Sequence, residues 1–476
     1  MSTDFRSWGL RLATETGLTS ILQSCRDTKL LCVQRFVRLF AYGASFLILV
    51  DFLSSKDFSD AQIGLFMTLT LLGDVIISLI LTQITDQVGR RRILVLGALL
   101  MTTSGLAFAI LKNYWLLVFA SVVGVISPSG NEIGPFKAVE ESILAQLTDK
   151  DRRSDIFAWY TLLGTAGAAL GAVTSGWVVQ AIENANKPRD AAYQIIFLLY
   201  AATGLAKLAL NLALSRNIEI EPVKSTQAAE ETELAEGLLD DDEDDDEDDD
   251  EPRQAQNAPS PRRTTFMDRV RSVLPIITAE SRSILYRLLI LFFLDSFASG
   301  MASPSWLTYF FTTVHSLKPS TLGSLFFVTN ILATISNLCA LPIARRLGPL
   351  KTMVFTHLPS AIFLAMVPFP PKSSAGTWLA MAFLSLRACT QSMDQAPRQA
   401  FLAAAVLPTE RTAVMGWVNM AKTLAQASGI GLAGVFAGKG WWILLLGGAG
   451  AMKASYDLLI LWMFSKIKAR EDSVQR

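Results

Sequence analysis

The chain has 476 residues, 51% of them hydrophobic and only 18% charged, with a mean hydropathy of +0.38. That balance excludes an ordinary soluble enzyme and points to a membrane as the solvent. The formal net charge of zero conceals a separation: Ile218 to Arg271 carries nineteen acidic and six basic residues, so the remainder is basic by thirteen.

The first thirty residues are mixed and polar, with Arg6, Arg11, Arg26 and Lys29 but no apolar core of signal-peptide length, so no cleaved targeting segment is expected. Apolar runs of about twenty residues, enough to cross the hydrocarbon core as helix, then follow one another. The first six are placed near 36–54, 62–84, 93–111, 114–145, 155–181 and 191–215. Six more are placed near 284–311, 320–343, 352–369, 376–406, 412–437 and 441–464. The expected fold is an all-α polytopic membrane protein with twelve transmembrane helices in two six-helix bundles. Its parts are an N-terminal segment (1–35), a first bundle (36–216), a linker (217–283), a second bundle (284–465) and a tail (466–476).

The linker holds an unbroken acidic run from Asp240 to Glu251, then the Pro- and Ser-containing QAQNAPSPRR. Such a composition cannot bury enough apolar surface to fold, so a solvated tether is expected. Lys and Arg concentrate in alternate loops, among them Arg90, Arg91, Arg92, Lys150, Arg152, Arg153, Arg345, Arg346, Lys351 and Arg411. By the positive-inside rule, that places those loops and both termini in the cytoplasm.

The two halves repeat one another. Around the fourth helix the chain reads SPSGNEIGPF (Ser127–Phe136), then LTDKDRR (Leu147–Arg153), then FAWY (Phe157–Tyr160). Around the tenth it reads QSMDQAPRQAF (Gln391–Phe401), then LPTERT (Leu407–Thr412), then GWVN (Gly416–Asn419). The loop after helix two, TDQVGRRR (Thr85–Arg92), together with the six-plus-six layout and the acid-Arg turns at Asp151-Arg152 and Glu410-Arg411, resembles the major facilitator superfamily. The likeness departs at Thr82, where a glycine is common, and at Arg345, which stands where the second-half loop would carry an Asp. Helix five has Gly164, Gly167, Gly171 and Gly176 but lacks the Gly-Pro pair of the drug-exporting branch. The resemblance implies a pseudo-twofold pair of bundles rocking about a central cavity, with Asp86, Gly89, Arg90 and Arg91 forming a cytoplasmic gate. Physically, Asp86 can cap a helix end or pair with Arg90, and Gly89 permits a tight turn.

Charges inside hydrocarbon are costly, at least about 2.5–3.5 kcal/mol each on the insertion scale, so intramembrane ionisable residues mark candidate sites. Asn131 and Glu132 lie between Pro128 and Pro135 in helix four, where an interruption is expected, and Glu132 has no base four residues away. In helix ten, Arg387, Asp394 and Arg398 share one face, with an Asp394–Arg398 pair as the structural alternative. Asp74, Asp295 and Lys422 lie at similar depth and are candidates for the same cavity. Lys207 and a Lys453–Asp457 pair are expected to be structural or to reach for the interface.

Cys25, Cys32, Cys339 and Cys389 have neither metal-site nor disulfide spacing and are expected to pack in apolar surroundings. With two histidines, His315 and His357, and no Walker-type loop, neither a metal centre, a cofactor, a catalytic set nor ATP drive is expected. The expected function is secondary active transport of a small polar or charged organic solute by alternating access, coupled to protons. The alternatives are a proton-independent facilitator and a transporter-like receptor that does not transport. The expected partners are the solute, protons and the lipid bilayer, with no nucleic acid and a monomeric chain.

Overall fold

In the computed structural model the described residues are 17–124, 126, 135–149, 152–219, 279–395, 397–398, 401–402 and 411–474. The N-terminal half comprises α1 (Leu18–Gln23), α2 (Arg26–Ser54), α3 (Asp60–Val88), α4 (Arg90–Ile110), α5 (Tyr114–Val123), α6 (Pro135–Leu147), α7 (Arg153–Asn184) and α8 (Arg189–Leu212), closed by a single 3-10 turn, Arg216–Ile218. The C-terminal half comprises α9 (Ala279–Met301), α10 (Pro304–His315), α11 (Pro319–Leu347), α12 (Pro349–Met366), α13 (Ser374–Gln391), α14 (Arg411–Gly438) and α15 (Gly448–Val474), the last preceded by a widened π turn, Ile443–Gly447. Helix is present at each of the twelve expected positions.

Local chemistry explains the boundaries. Ser59 opens α3 with a capping box, its hydroxyl accepting from the Gln62 amide while the Gln62 side chain accepts from the Ser59 N–H at 2.9 Å. Asn113 caps α5 by accepting from the amides of Trp115 and Leu116. Pro304, Pro319 and Pro349 occupy first turns, where a missing N–H costs nothing. Gly89 and Gly348 take positive φ values of 99° and 79° between α3 and α4 and between α11 and α12. The second half therefore repeats the sharp turn of the first even though its acidic residue is replaced.

Three expectations need correction. Helix seven is not continuous: α9 ends at Met301 and α10 starts at Pro304, because the proline ring blocks the helical hydrogen bond and holds Ser303 extended. Helix ten is not continuous either: α13 ends at Gln391, Ser392–Asp394 form tight turns and helix resumes at Gln395, so Asp394 stands in the break. Among the cysteines, Cys32 is buried as expected, but Cys25, just ahead of α2, is exposed. The interruption expected in helix four falls on 127–134, outside the described residues, with α5 ending before it and α6 beginning after it.

Within each half the packing follows the repeat: α2 on α7 and α4 on α8, then α9 on α14 and α12 on α15. The glycines of α7 serve this packing, since a Cβ at Gly171 would overlap the Phe40 carbonyl oxygen of α2. Large apolar side chains cover the outside, including Ile110, Phe119, Trp177, Trp378 and Trp462, as hydrocarbon rather than water requires. Among the described residues, eight helical segments are long and apolar enough to span a bilayer on length and composition.

The halves meet through α3 with α14, α7 with α11, and α2 with α10. Close contacts gather at the end of the molecule that carries Asp60. There Gly64 lies against Gly431 and Gly434, Gly176 lies against Gly323, and Thr68 donates to the Ala427 carbonyl at 2.8 Å. Tyr309 donates to Asp60 at 3.0 Å, and the rings of Phe46 and Phe326 meet edge to face. One apolar core containing Phe52, Phe66, Trp306 and Phe310 runs through both halves at this end. Towards the end that carries Gly89 and Gly348, the core divides into two clusters, one around Tyr160 and Ile143, the other around Phe292 and Tyr456. Among the described residues the bundle is thus joined at one end and divided at the other.

Candidate functional site

Between the halves lies a cavity of about 790 Å³. The N-terminal half gives it an apolar wall from α2 and α7, with Leu39, Tyr42, Phe46 and Ala168, plus Lys137 from α6. Its polar wall comes from the C-terminal half, where Asp295, Arg387, Asp394, Arg398, Lys422 and Lys453 converge with Asn330, Gln391, Asn419 and Gln426.

A network organises these charges. Arg398 donates to Asp295 at 3.0 Å and also holds Asp394, four residues earlier in the chain. Asp295 receives Lys453 at 2.7 Å from α15, and the same ammonium donates to Ser299. Side-chain exposure is only 4% for Asp295 and 7% for Lys453 but 17% for Arg398, which faces the cavity most directly. Behind this network His357 on α12 is hydrogen-bonded through Nδ1 to the Asp457 carboxylate at 2.8 Å. The ring of Tyr456 stands edge-on to the His357 ring.

Five expected site residues of the C-terminal half, Asp295, Arg387, Asp394, Arg398 and Lys422, are therefore brought to one cavity wall. Asp74 is not among the lining residues: it is buried in the N-terminal half at 5% exposure, and its Oδ1 has no hydrogen-bond partner in the described structure. Asn131 and Glu132 lie outside the described residues. The expected Lys453–Asp457 pairing is replaced by two cross-helix pairs, because Lys453 reaches Asp295 and Asp457 takes His357. His357, set aside from the sequence for want of companions, lines the cavity.

A second buried charge cluster was missed altogether. Glu140 on α6 accepts from Arg38 of α2 at 2.7 Å, from the Tyr160 hydroxyl at 2.7 Å, and lies 3.3 Å from Lys207 of α8. Arg35 stacks over the Tyr160 ring at 4.3 Å. Lys207 is thus a structural partner, not a residue reaching for the interface. Arg38 and Glu140 both sit inside expected spans, so the rule that flagged Asp295 applied to them equally.

At the Gly89 end, the side chain of Asp86 is outside the described residues. The backbone N–H groups of Arg90 and Arg91 donate to the Glu219 carboxylate at 2.7 and 3.1 Å, an acid closing the N-terminus of α4. Arg90 also donates to Gln146, and Arg91 to the carbonyls at the end of α8. These bonds tie the loop to its own half.

A fold of two repeated six-helix bundles enclosing a polar cavity is that of a membrane transporter. The chain belongs to the Major Facilitator Superfamily, whose model matches residues 31–281 and 288–475. Over 448 residues it is 35% identical to the Uncharacterized membrane protein YJR124C of Saccharomyces cerevisiae, covering 94% of this chain and 95% of that one. Among solved structures, a variant of the peptide transporter POT in complex with sulfate superposes with a TM-score of 0.64 at 17% identity, over 92% of this chain and 94% of that chain. A D-xylose-proton symporter superposes with a TM-score of 0.61 at 14% identity, over 91% and 96%. At such identities the structural likeness is one of fold.

Proposed function

We propose that this protein is a secondary active transporter that moves a small polar or charged organic solute across a membrane by alternating access. The observation that carries this reading is the bundle joined at the Asp60 end and divided at the Gly89 end, around a cavity walled by both halves. With the termini and basic loops cytoplasmic, as the distribution of Lys and Arg favours, this is a state open to the cytoplasm. Closing the other end would bring the Gly89 and Gly348 loops together and part the glycine contacts between α3 and α14.

Protons are the coupling ion in this reading. Asp295 and Asp394 are committed to Arg398 and Lys453, which leaves Asp457, hydrogen-bonded to His357 at the cavity, and the buried Asp74, whose Oδ1 has no hydrogen-bond partner among the described residues, as the acids that can carry the proton. His357, Asp295 and Asp394 are the charged and titratable neighbours through which the charge of Asp457 would be felt.

The reading is tested on a background without the four native cysteines, with Thr423→Cys on the cavity wall and a membrane-impermeant thiol reagent applied to each face of sealed vesicles. A transporter exposes the thiol to both faces, one at a time. Labelling from one face alone under every condition would leave a binding protein that does not transport.

A further inference from the structure

The cavity wall is more basic than acidic, with Lys137, Arg387, Arg398, Lys422 and Lys453 set against Asp295 and Asp394. The acids are already spent: Asp295 on Arg398 and Lys453, Asp394 on Arg398. Lys137 has Glu141 at 3.8 Å, one helical turn away. That leaves Arg387 from α13 and Lys422 from α14. Neither forms an ion pair among the described residues, and the buried Nε of Arg387 has no hydrogen-bond partner. The Lys422 ammonium stands 5.6 Å from the centre of the Phe292 ring, and within hydrogen-bond distance it has no acid among the described residues.

A cation kept in a membrane-embedded cavity without a partner is costly, and replacing it would relieve that cost. A guanidinium offers parallel donors that match the two oxygens of a carboxylate or phosphate, which an ammonium cannot do. The same cavity wall adds neutral donors and acceptors, Gln391 one turn beyond Arg387 along α13 and Asn330 from α11.

Resting on the transporter reading above, we infer that the solute is an organic anion whose carboxylate or phosphate group is seated on Arg387, with Lys422 as a second cation. The site is completed by its ligand: the missing countercharge arrives with the solute and leaves with it. Lys422 holds a further acceptor of the solute nearer the Arg398 network.

The test is thermal unfolding of the purified full-length protein with carboxylates, amino acids, sugar phosphates, neutral sugars and amines, beside inorganic phosphate and sulfate alone. Organic anions are expected to raise the melting temperature of the unsubstituted protein, with carboxylates or phosphates leading according to which group the site takes. Arg387→Gln should weaken that binding by about 30-fold or more, the loss expected when one partner of a desolvated charge pair is removed, and Arg387→Lys should recover only part of it. Without any solute, Arg387→Gln should melt at or above the temperature of the unsubstituted protein.

Three results would overturn the inference: stabilisation by neutral or cationic solutes but by no anion at millimolar concentration, anion binding that survives Arg387→Gln, or a marked loss of stability in the empty Arg387→Gln protein. None of these touches the two-faced thiol labelling, so the inference can fail while the transporter reading stands.

Discussion

Each half of the molecule contains one acid held by two cations, drawn from its first, fourth and sixth helices, and the two clusters differ in what they face. In the N-terminal half the acid is Glu140, on the fourth helix, and its cations are Arg38 and Lys207; their side chains are 0% and 3% exposed, and none of the three lines the cavity. In the C-terminal half the acid is Asp295, on the first helix, and its cations are Arg398 and Lys453, all three on the cavity wall. The repeat thus places similar chemistry in both bundles. An enclosed cluster can only fix helices relative to each other, whereas one at a cavity wall can exchange a protein partner for water or solute. A buried ion pair is weak evidence of net stability, yet breaking one is expensive, because it strands a charge.

The sharpest way to break the comparison is Glu140→Gln. It removes the carboxylate that Arg38 and Lys207 share in an enclosed site, so a loss of about 3–5 kcal/mol is expected, read as poor yield and a large fall in melting temperature. Asp295→Asn should cost less, on the order of 1–3 kcal/mol, since Arg398 keeps Asp394 and the cavity can hydrate Lys453. Its main consequence should be lost transport. If Asp295→Asn proves the more destabilising of the two, the roles assigned to the clusters are reversed. The smallest effect is expected from Glu219→Gln, which weakens a half-buried carboxylate at the start of α4 by about 0.3–1 kcal/mol, and less in high salt. A large loss there would mean that the loop after α3 is held mainly from the linker side.

Much of the fold was legible because hydrocarbon selects residues over whole spans, and ten or more positions report the same solvent. The turn at Gly89 and its counterpart at Gly348 were visible as glycines beside basic clusters. The break before Pro304 was equally visible and was passed over, since hydropathy followed over the whole span from 284 to 311 stays apolar and hides the Ser-Pro-Ser within it. At the site, the Asp394–Arg398 pair could be read from its four-residue spacing. Lys453 and Asp457 have the same spacing and do not pair, because Asp295 and His357 arrive from other helices with better placed partners. Spacing along one helix says which side chains share a face; it does not say what crosses to meet them. The Glu140 cluster was hidden for the same reason, its members being separated by 102 residues for Arg38 and 20 for Tyr160.

The central claim is that the halves close at one end when they open at the other. It is tested most directly by spin-label distances at both ends, Ala61→Cys with Lys439→Cys near Asp60, and Arg92→Cys with Arg346→Cys near Gly89, on the background without native cysteines. Gly434→Val supplies the perturbation, since a side chain there would overlap the Asp60 carbonyl and disfavour the joined end by about 1–3 kcal/mol. The account predicts that this substitution lengthens the Ala61–Lys439 distance and shortens the Arg92–Arg346 distance. Lengthening at the first pair with no change at the second would contradict it.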